Sequence, residues 1–241
     1  MKKRCVIFGA NDFGSMIKFY VEKYMDISIE AYTLDQKYMV ESVRDGIPVE
    51  GFENLQEKYP PDRYSIILAI GYKSMNDIRK EKYYQAKQKG YYIENVVHPS
   101  AIIECTQMGE GNIILENVVM AYGTQIGNAN IFWNGCQISH ESCIGDFNYF
   151  APSSVIAGKT TVKNNCFLGI QSAVRGNRVL EDYTLIGAGA YMNHSTQKEG
   201  VYVPARTVRL ENKNSKDFFL ERRENEDNNG CCGRNVAGSL D

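Results

Sequence analysis

The sequence predicts a small parallel α/β (Rossmann-like) segment followed by a left-handed parallel β-helix of hexapeptide repeats. Two observations predict it. A large apolar residue returns at every sixth position from Val96 to Met192. Before that point, strand-length apolar runs alternate with helical stretches and glycine turns.

The repeat reads Val96, Ile102, Met108, Ile114, Met120, Ile126, Phe132, Ile138, Ile144, Phe150, Ile156, Val162, Leu168, Val174, Leu180, Ile186, Met192, and Lys198 ends it. Two residues before each, the chain is mostly small or compact, as at Thr124, Cys136, Ser154, Cys166 and Thr184, with Arg178 as the break. A helix would mix spacings of three and four, and a half-buried strand would alternate by two. A strict period of six instead makes each hexad one side of a triangular coil, so about eighteen residues complete a turn. The large residue fills the interior, and the compact one lets the chain turn inside it.

The first ninety-five residues follow a different rule. Residues 4 to 8, RCVIF, read as a buried strand entering the turn Gly9-Ala10-Asn11-Asp12-Phe13-Gly14, with a helix to about Met25. Residues 29 to 34 make a second strand ending at Asp35, residues 45 to 51 a turn and short strand, and residues 65 to 71 a third buried strand. Residues 74 to 89 look helical, and residues 91 to 97 read as a last strand leading into the solenoid. The expected divisions are therefore 1–95, 96–210 and a polar tail, 211–241. The tail carries a short helix around 216–224, and residues 225–241 read as disordered or appended.

Composition narrows the function. Twenty-seven basic against 29 acidic residues give a net charge of −2, and no basic stripe points to nucleic acid. No apolar stretch reaches the length of a membrane span. The apolar run after Met1 is too short for a secretory signal, so the reading is a cytoplasmic protein. The seven cysteines form no CxxC and read as reduced packing residues, with no metal site expected.

Only three histidines occur: His98, His140 and His194. Each follows a repeat position by two, so each side chain should face outward. His140 stands mid-solenoid beside Glu141, and an imidazole held by a carboxylate is suited to general-base chemistry. Gly158 is one coil further on, where its N–H is positioned for a developing oxyanion. Ile170 and Ala188 are one coil apart on another face, and their backbone groups can pair with the amides of a pantetheine arm. The alternative on position alone is an exposed histidine with a chance neighbour. A histidine-cluster metalloenzyme is disfavoured: His140 and His194 lie three coils apart, about 14 Å at the inter-strand spacing. In the first glycine turn, Asn11 replaces the middle glycine of GxGxxG. A strand-to-helix turn there still presents free N–H groups, and Asp35 is placed to accept hydrogen bonds from a base or sugar. The alternative is a plain turn and a solvated Asp.

GANDFG, AIGYKSMNDIR, VHPSA, ISHESCIGDF, AGKTTVKNNCFLGIQSAV, IGAGA and VYVPAR together resemble the PglD/NeuD-type sugar-nucleotide acetyltransferases of bacterial surface-glycan synthesis, over the chain to about residue 210. The resemblance implies an acetyl-CoA-dependent N-acetyltransferase acting on a nucleotide-linked amino sugar, of the 4-amino-4,6-dideoxy type. A sugar O-acetyltransferase, or a non-catalytic sugar-nucleotide-binding solenoid, are the alternatives. It implies His140 as base, Glu141 as its orienting partner, and the backbone at Gly158, Ile170 and Ala188 against acetyl-CoA. It also places Tyr149 where the family has a second histidine near the thioester, Asn11, Asp12, Phe13 and Asp35 at the nucleotide sugar, and a homotrimer as the assembly.

Overall fold

The computed structural model describes residues 2–205 together with positions 207, 209, 211 and 215. The tail expectations, the helix at 216–224 included, lie outside these residues. Residues 2–204 form one compact unit.

The α/β segment opens with β1 (Lys3–Phe8), α1 (Asp12–Tyr24) and β2 (Ile27–Leu34). After a hairpin of β3 (Val43–Arg44) and β4 (Ile47–Gly51) come the short α2 (Leu55–Lys58), β5 (Ser65–Leu68) and α3 (Asp77–Gln88). The sheet order is β3-β4-β2-β1-β5, parallel except for the β3–β4 pair. β1 is the switch point: the chain leaves it toward β2 on one side, and β5 pairs on the other. Asn11 caps α1, its Oδ1 accepting from the Gly14 N–H at 3.0 Å. Gly9 lies at φ +127, and a Cβ there would strike the Ala69 carbonyl at 2.5 Å, so only glycine fits this crossing of β1 and the loop after β5.

Residues 91–97 are not one strand. Ile93 bridges Ile66 of the α/β sheet, whereas Val96–Val97 pairs with Ile113–Ile114 of the solenoid. The run is shared between two sheets, and Asn95 ends it by donating to the Gly109 carbonyl and accepting from the Asn112 N–H.

The solenoid is a left-handed parallel β-helix with three flat sheets. Its first face holds the strands from Ile102–Ile103 to Tyr191–Met192, and its second those from Gln107–Met108 to Val179–Leu180. The third holds those from Val96–Val97 to Val201–Tyr202. Strands are two residues long and pair with the residue eighteen positions on, as Gln137↔Val155 and Phe150↔Leu168. Ile114, Phe132, Phe150 and Leu168 stack down one inner wall, all with no exposure; Phe132 and Phe150 lie 4.6 Å apart. Every sixth residue from Gly111 to Gly189 has positive φ, Glu141, Phe147 and Lys159 among them. Each corner thus turns through one left-handed residue, a conformation costing a non-glycine about 1 kcal/mol or more.

One correction concerns the start of the repeat. Val97 pairs with Ile114 and Ile103 with Met120, seventeen residues apart, and Val97 and Ile103 join the interior cluster. Ile102 is 55% exposed. The corner between Ile103 and Gln107 has three residues, where the next corners have four. That one-residue deficit moves the two preceding hexads out of register, so the interior metre begins at Met108.

The α/β segment packs on the third face. Ile113, Ile131 and Tyr149 point outward from the solenoid into the cluster that contains Ile7, Ile17 and Val21. Among the described residues, Cys5, Cys136 and Cys166 are buried, and Cys105 and Cys143 are also free thiols.

Candidate active site

His140 sits at the corner between the first and second faces, after the strand Gln137–Ile138. Its Nδ1 lies 3.2 Å from Glu141 Oε2. The left-handed φ of +54 at Glu141 turns its side chain back along the corner. Lys159, eighteen residues after Glu141, brings its Nζ to 3.6 Å from the same oxygen. The hydrogen bond from His140, and then the Lys159 charge, hold the Glu141 carboxyl below the usual carboxylate range. All three side chains are about half exposed. The sequence reading did not include Lys159. The eighteen-residue rule that found Gly158 above His140, applied one position on, would have found it above Glu141.

Gly158 stands over the imidazole. A Cβ there would meet His140 Nε2, and would lie 2.7 Å from Cε1 and 2.9 Å from Cδ2. The Lys159 N–H donates to the His140 carbonyl at 2.9 Å, whereas the Gly158 N–H makes no hydrogen bond among the described residues. The corner therefore joins a ring nitrogen lying against Gly158, a carboxylate at the other ring nitrogen, and a backbone donor above the ring that makes no hydrogen bond among the described residues. This constellation can accept a proton and stabilise charge developing on an oxygen.

Ile170 and Ala188 occupy the corner between the third and first faces, one coil apart, and the Gly189 N–H donates to the Ile170 carbonyl at 2.8 Å. Both are exposed. A Cβ on the adjacent Gly169 would strike Ala188 N at 2.5 Å, so this corner also depends on close backbone approach. The two corners bound the first face from either side, and one chain does not bring them together. Tyr149 is elsewhere again. It is on the third face, opposite the His140 corner, where it stacks on Phe167 at 5.2 Å and is 7% exposed. Burial pushes its hydroxyl up to about 12.

At the carboxyl edge of the α/β sheet, Asp12 is ion-paired with Arg44 at 2.8 Å, and Arg44 also donates to Ser15 Oγ. Phe13 stacks on Trp133 of the solenoid, 5.7 Å between rings. Asp35 is paired with Lys82 at 2.5 Å. Lys82 is 6% exposed, and its ammonium also lies over the rings of Phe8 and Phe52. Asp35, Phe52, Glu53, Lys82 and Gln85 line an open cleft of about 650 Å³. No group of His, Cys, Asp and Glu among the described residues is placed to hold a metal ion.

No protein-family profile matches the chain. Solved structures do. The acetyltransferase domain of PglB from Neisseria gonorrhoeae superposes with a TM-score of 0.75 at 19% identity, over 86% of this chain and all of that one. PerB from Caulobacter crescentus, solved with CoA and GDP-perosamine, gives 0.74 at 22%, over 83% and 93%. WeeI from Acinetobacter baumannii gives 0.72 at 19%, over 85% and 99%. The chain has their fold. The likeness covers the α/β segment as well as the solenoid, since it extends over most of both chains.

Proposed function

We propose that the chain transfers the acetyl group of acetyl-CoA to the amino group of a nucleotide-linked amino sugar, of the 4-amino-4,6-dideoxy type. The observation that carries this reading is the His140 corner: a carboxylate-held imidazole beneath a glycine that leaves its N–H free. The neighbours support it. The PglB domain has been solved with acetyl coenzyme A and PerB with CoA and GDP-perosamine. The Caulobacter perosamine N-acetyltransferase has also been solved with one histidine replaced by asparagine or by alanine.

In this reading His140 Nε2 takes the proton from the acceptor amine as it attacks the thioester carbonyl. Glu141 at Nδ1 keeps the ring oriented and favours the imidazolium, and Lys159 limits that carboxylate's freedom to swing away. The Gly158 N–H donates to the carbonyl oxygen as negative charge grows on it. Acetyl-CoA supplies the activated acyl group; as the tetrahedral adduct collapses the carbon–sulfur bond breaks, and CoA leaves as the thiol with the proton that His140 took up. The thioester carbonyl meets the Gly158 N–H, and the pantetheine amides meet the backbone N–H groups of Ile170 and Ala188, which make no hydrogen bond among the described residues. Since those corners flank one face, the reading requires neighbouring copies: a homotrimer in which one chain offers His140 and Gly158 and the next Ile170 and Ala188. Asn11, Asp12, Phe13 and Asp35 line the nucleotide-sugar side. Tyr149 is assigned a packing role, because its ring lies inside the aromatic cluster. The setting is cytoplasmic; among the described residues, no helix is long and apolar enough to cross a membrane.

The test is thiol release from acetyl-CoA with UDP-, dTDP- and GDP-linked amino sugars, with mass measurement in solution alongside. Turnover with hydroxyl acceptors alone would replace N- by O-acetylation. No thioester consumption with any acceptor would leave a binding module. An active, stable monomer would end the shared-site reading.

A further inference from the structure

The switch point of the α/β sheet lies between β1 and β5, and in open parallel sheets ligands bind in the crevice beyond the carboxyl ends at that point. Two loops border it: Gly9–Phe13 after β1, and the stretch from Ala69 to Asn76 after β5. Gly9 and Ala69 touch across it, and the Ala69 N–H donates to the Phe8 carbonyl at 2.9 Å. The second loop carries Tyr72, an aromatic ring that is 54% exposed. The ring is wedged edge-on against two others of the third face: Tyr149 at 5.0 Å and Phe167 at 5.1 Å. Behind them Trp133 packs on Phe13, and the buried Trp133 indole N–H makes no hydrogen bond among the described residues. A fixed aromatic face is thus open to solvent beside the crevice, backed by an apolar cluster that contains that donor.

The loop is held by unusual means. Arg79 on α3 has no exposure and, among the described residues, no carboxylate partner. Its Nε donates to the Ala129 carbonyl at 2.8 Å, Nη1 to Ile70 and Gly71, and Nη2 to Phe147 and Asn148, none longer than 3.1 Å. All five N–H groups of the guanidinium are used. Burial pulls its pKa down to about 9, which leaves it cationic at neutral pH. Two of the acceptors belong to the loop just before Tyr72, and three belong to two successive coils of the solenoid. Asn76 adds a bond from Nδ2 to the Cys166 carbonyl, and Ser74, Met75 and Asn76 are three consecutive left-handed residues. Such strain persists where surrounding contacts over-determine it, and it gathers at ligand sites.

We propose that Tyr72 is the platform on which the acceptor sugar rests, and that Arg79 is the positioning residue that fixes it against the solenoid. This rests on the nucleotide-sugar reading above and adds to it a sugar contact distinct from the nucleotide contacts. A 4-amino-4,6-dideoxyhexose suits such a platform: its C6 methyl and axial hydrogens form an apolar face for an aromatic ring, and its polar edge is left free to reach the base of a neighbouring copy, since the third face against which Tyr72 packs lies opposite the His140 corner of the same chain.

The experiment is calorimetric titration of the full chain with GDP-, UDP- and dTDP-linked 4-amino-4,6-dideoxyhexoses, each beside its free nucleoside diphosphate. Tyr72→Ala should weaken the nucleotide sugar that binds about tenfold, the scale of one lost aromatic contact, and leave the free diphosphate within about twofold. Tyr72→Phe should stay within about twofold for both. Arg79→Lys keeps the charge but loses the planar fork. It should raise KM for the acceptor several-fold at an unchanged KM for acetyl-CoA. Equal loss of sugar and diphosphate affinity in Tyr72→Ala, or no loss, overturns the platform. A parallel rise of both Michaelis constants in Arg79→Lys overturns the positioning role. If none of the three sugars binds the native chain, the functional reading falls and this assignment with it. If one binds and turns over yet ignores Tyr72→Ala, only this assignment falls.

Discussion

Replacing Gly158 with alanine should disable His140 without touching it. The backbone at Gly158 is not in the left-handed region, so alanine is tolerated there, and the three atoms nearest the new methyl all belong to the imidazole of His140. The Cε1 distance of 2.7 Å must open to an ordinary van der Waals contact of at least 3.4 Å, so the ring must move by about 0.7 Å or more. His140 is over half exposed and can swing outward, which keeps the cost to the fold small but breaks the 3.2 Å contact with Glu141. A displacement near 1 Å at a reacting group costs about 10²-fold, so kcat/KM should fall by about that factor with little change in melting temperature. The decisive assay is a double-mutant cycle by thiol release. If both substitutions disable one device, Gly158→Ala should add little on a His140→Ala background. Full multiplication of the two effects, or a loss under about threefold for Gly158→Ala alone, would refute the argument.

Other outcomes follow from the same geometry. His140→Ala should lower kcat by about 10² to 10⁴ with KM for acetyl-CoA nearly unchanged, and should remove a rising limb from the pH–rate profile; Glu141→Ala should do less harm. Ile103→Ala should destabilise by about 1–3 kcal/mol and Ile102→Ala by less than about 0.5, since only the first packs on the interior; denaturant titration reads the order, and the reverse order would restore the unshifted register. The Tyr32 hydroxyl donates to Asp45 at 2.6 Å and holds its carboxyl below the usual range. Asp45 therefore adds stability above the unfolded carboxylate pKa that is lost as pH falls through the folded one. The Tm deficit of Asp45→Asn should be full at pH 7 and shrink toward pH 3; a deficit independent of pH would assign it to packing alone.

Much of the solenoid was readable because its rule is arithmetic. From Met108 on, the interior residue, the face and the neighbour eighteen positions away all follow from counting, which is how Gly158 fell above His140. The first two hexads were misread by one residue because Val96-Val97 and Ile102-Ile103 are both apolar pairs, and either member satisfies the metre. Only the three-residue corner after Ile103 decides, and corner length has no composition signal. The α/β segment was legible as strands and helices but not as a surface. Arg79 and Lys82 lie in a stretch legible only as helical, and both are buried. The acceptors that bury them include Phe147 for Arg79 and Asp35 for Lys82, far off in sequence, so no local window shows the pairing. Asp35 was found as a carboxylate after β2 but not as one already engaged by Lys82.

A coil of fixed period turns sequence number into a cylindrical coordinate. Six residues rotate a side chain by a third of a turn; eighteen return it to the same face, about 4.8 Å higher. His140 and Ile170, thirty positions apart, are therefore offset by about 8 Å along the axis and by one corner around it. Inserting eighteen residues between Lys159 and Phe167 would leave His140 beneath Gly158 and carry Ile170 and Ala188 one strand spacing further away, with no side chain changing face. Inserting six would send every later residue to the wrong wall. The distance between the reacting corner and the far anchor can thus be lengthened only in whole coils, a coarse gauge against which the reach of a thioester arm must be matched.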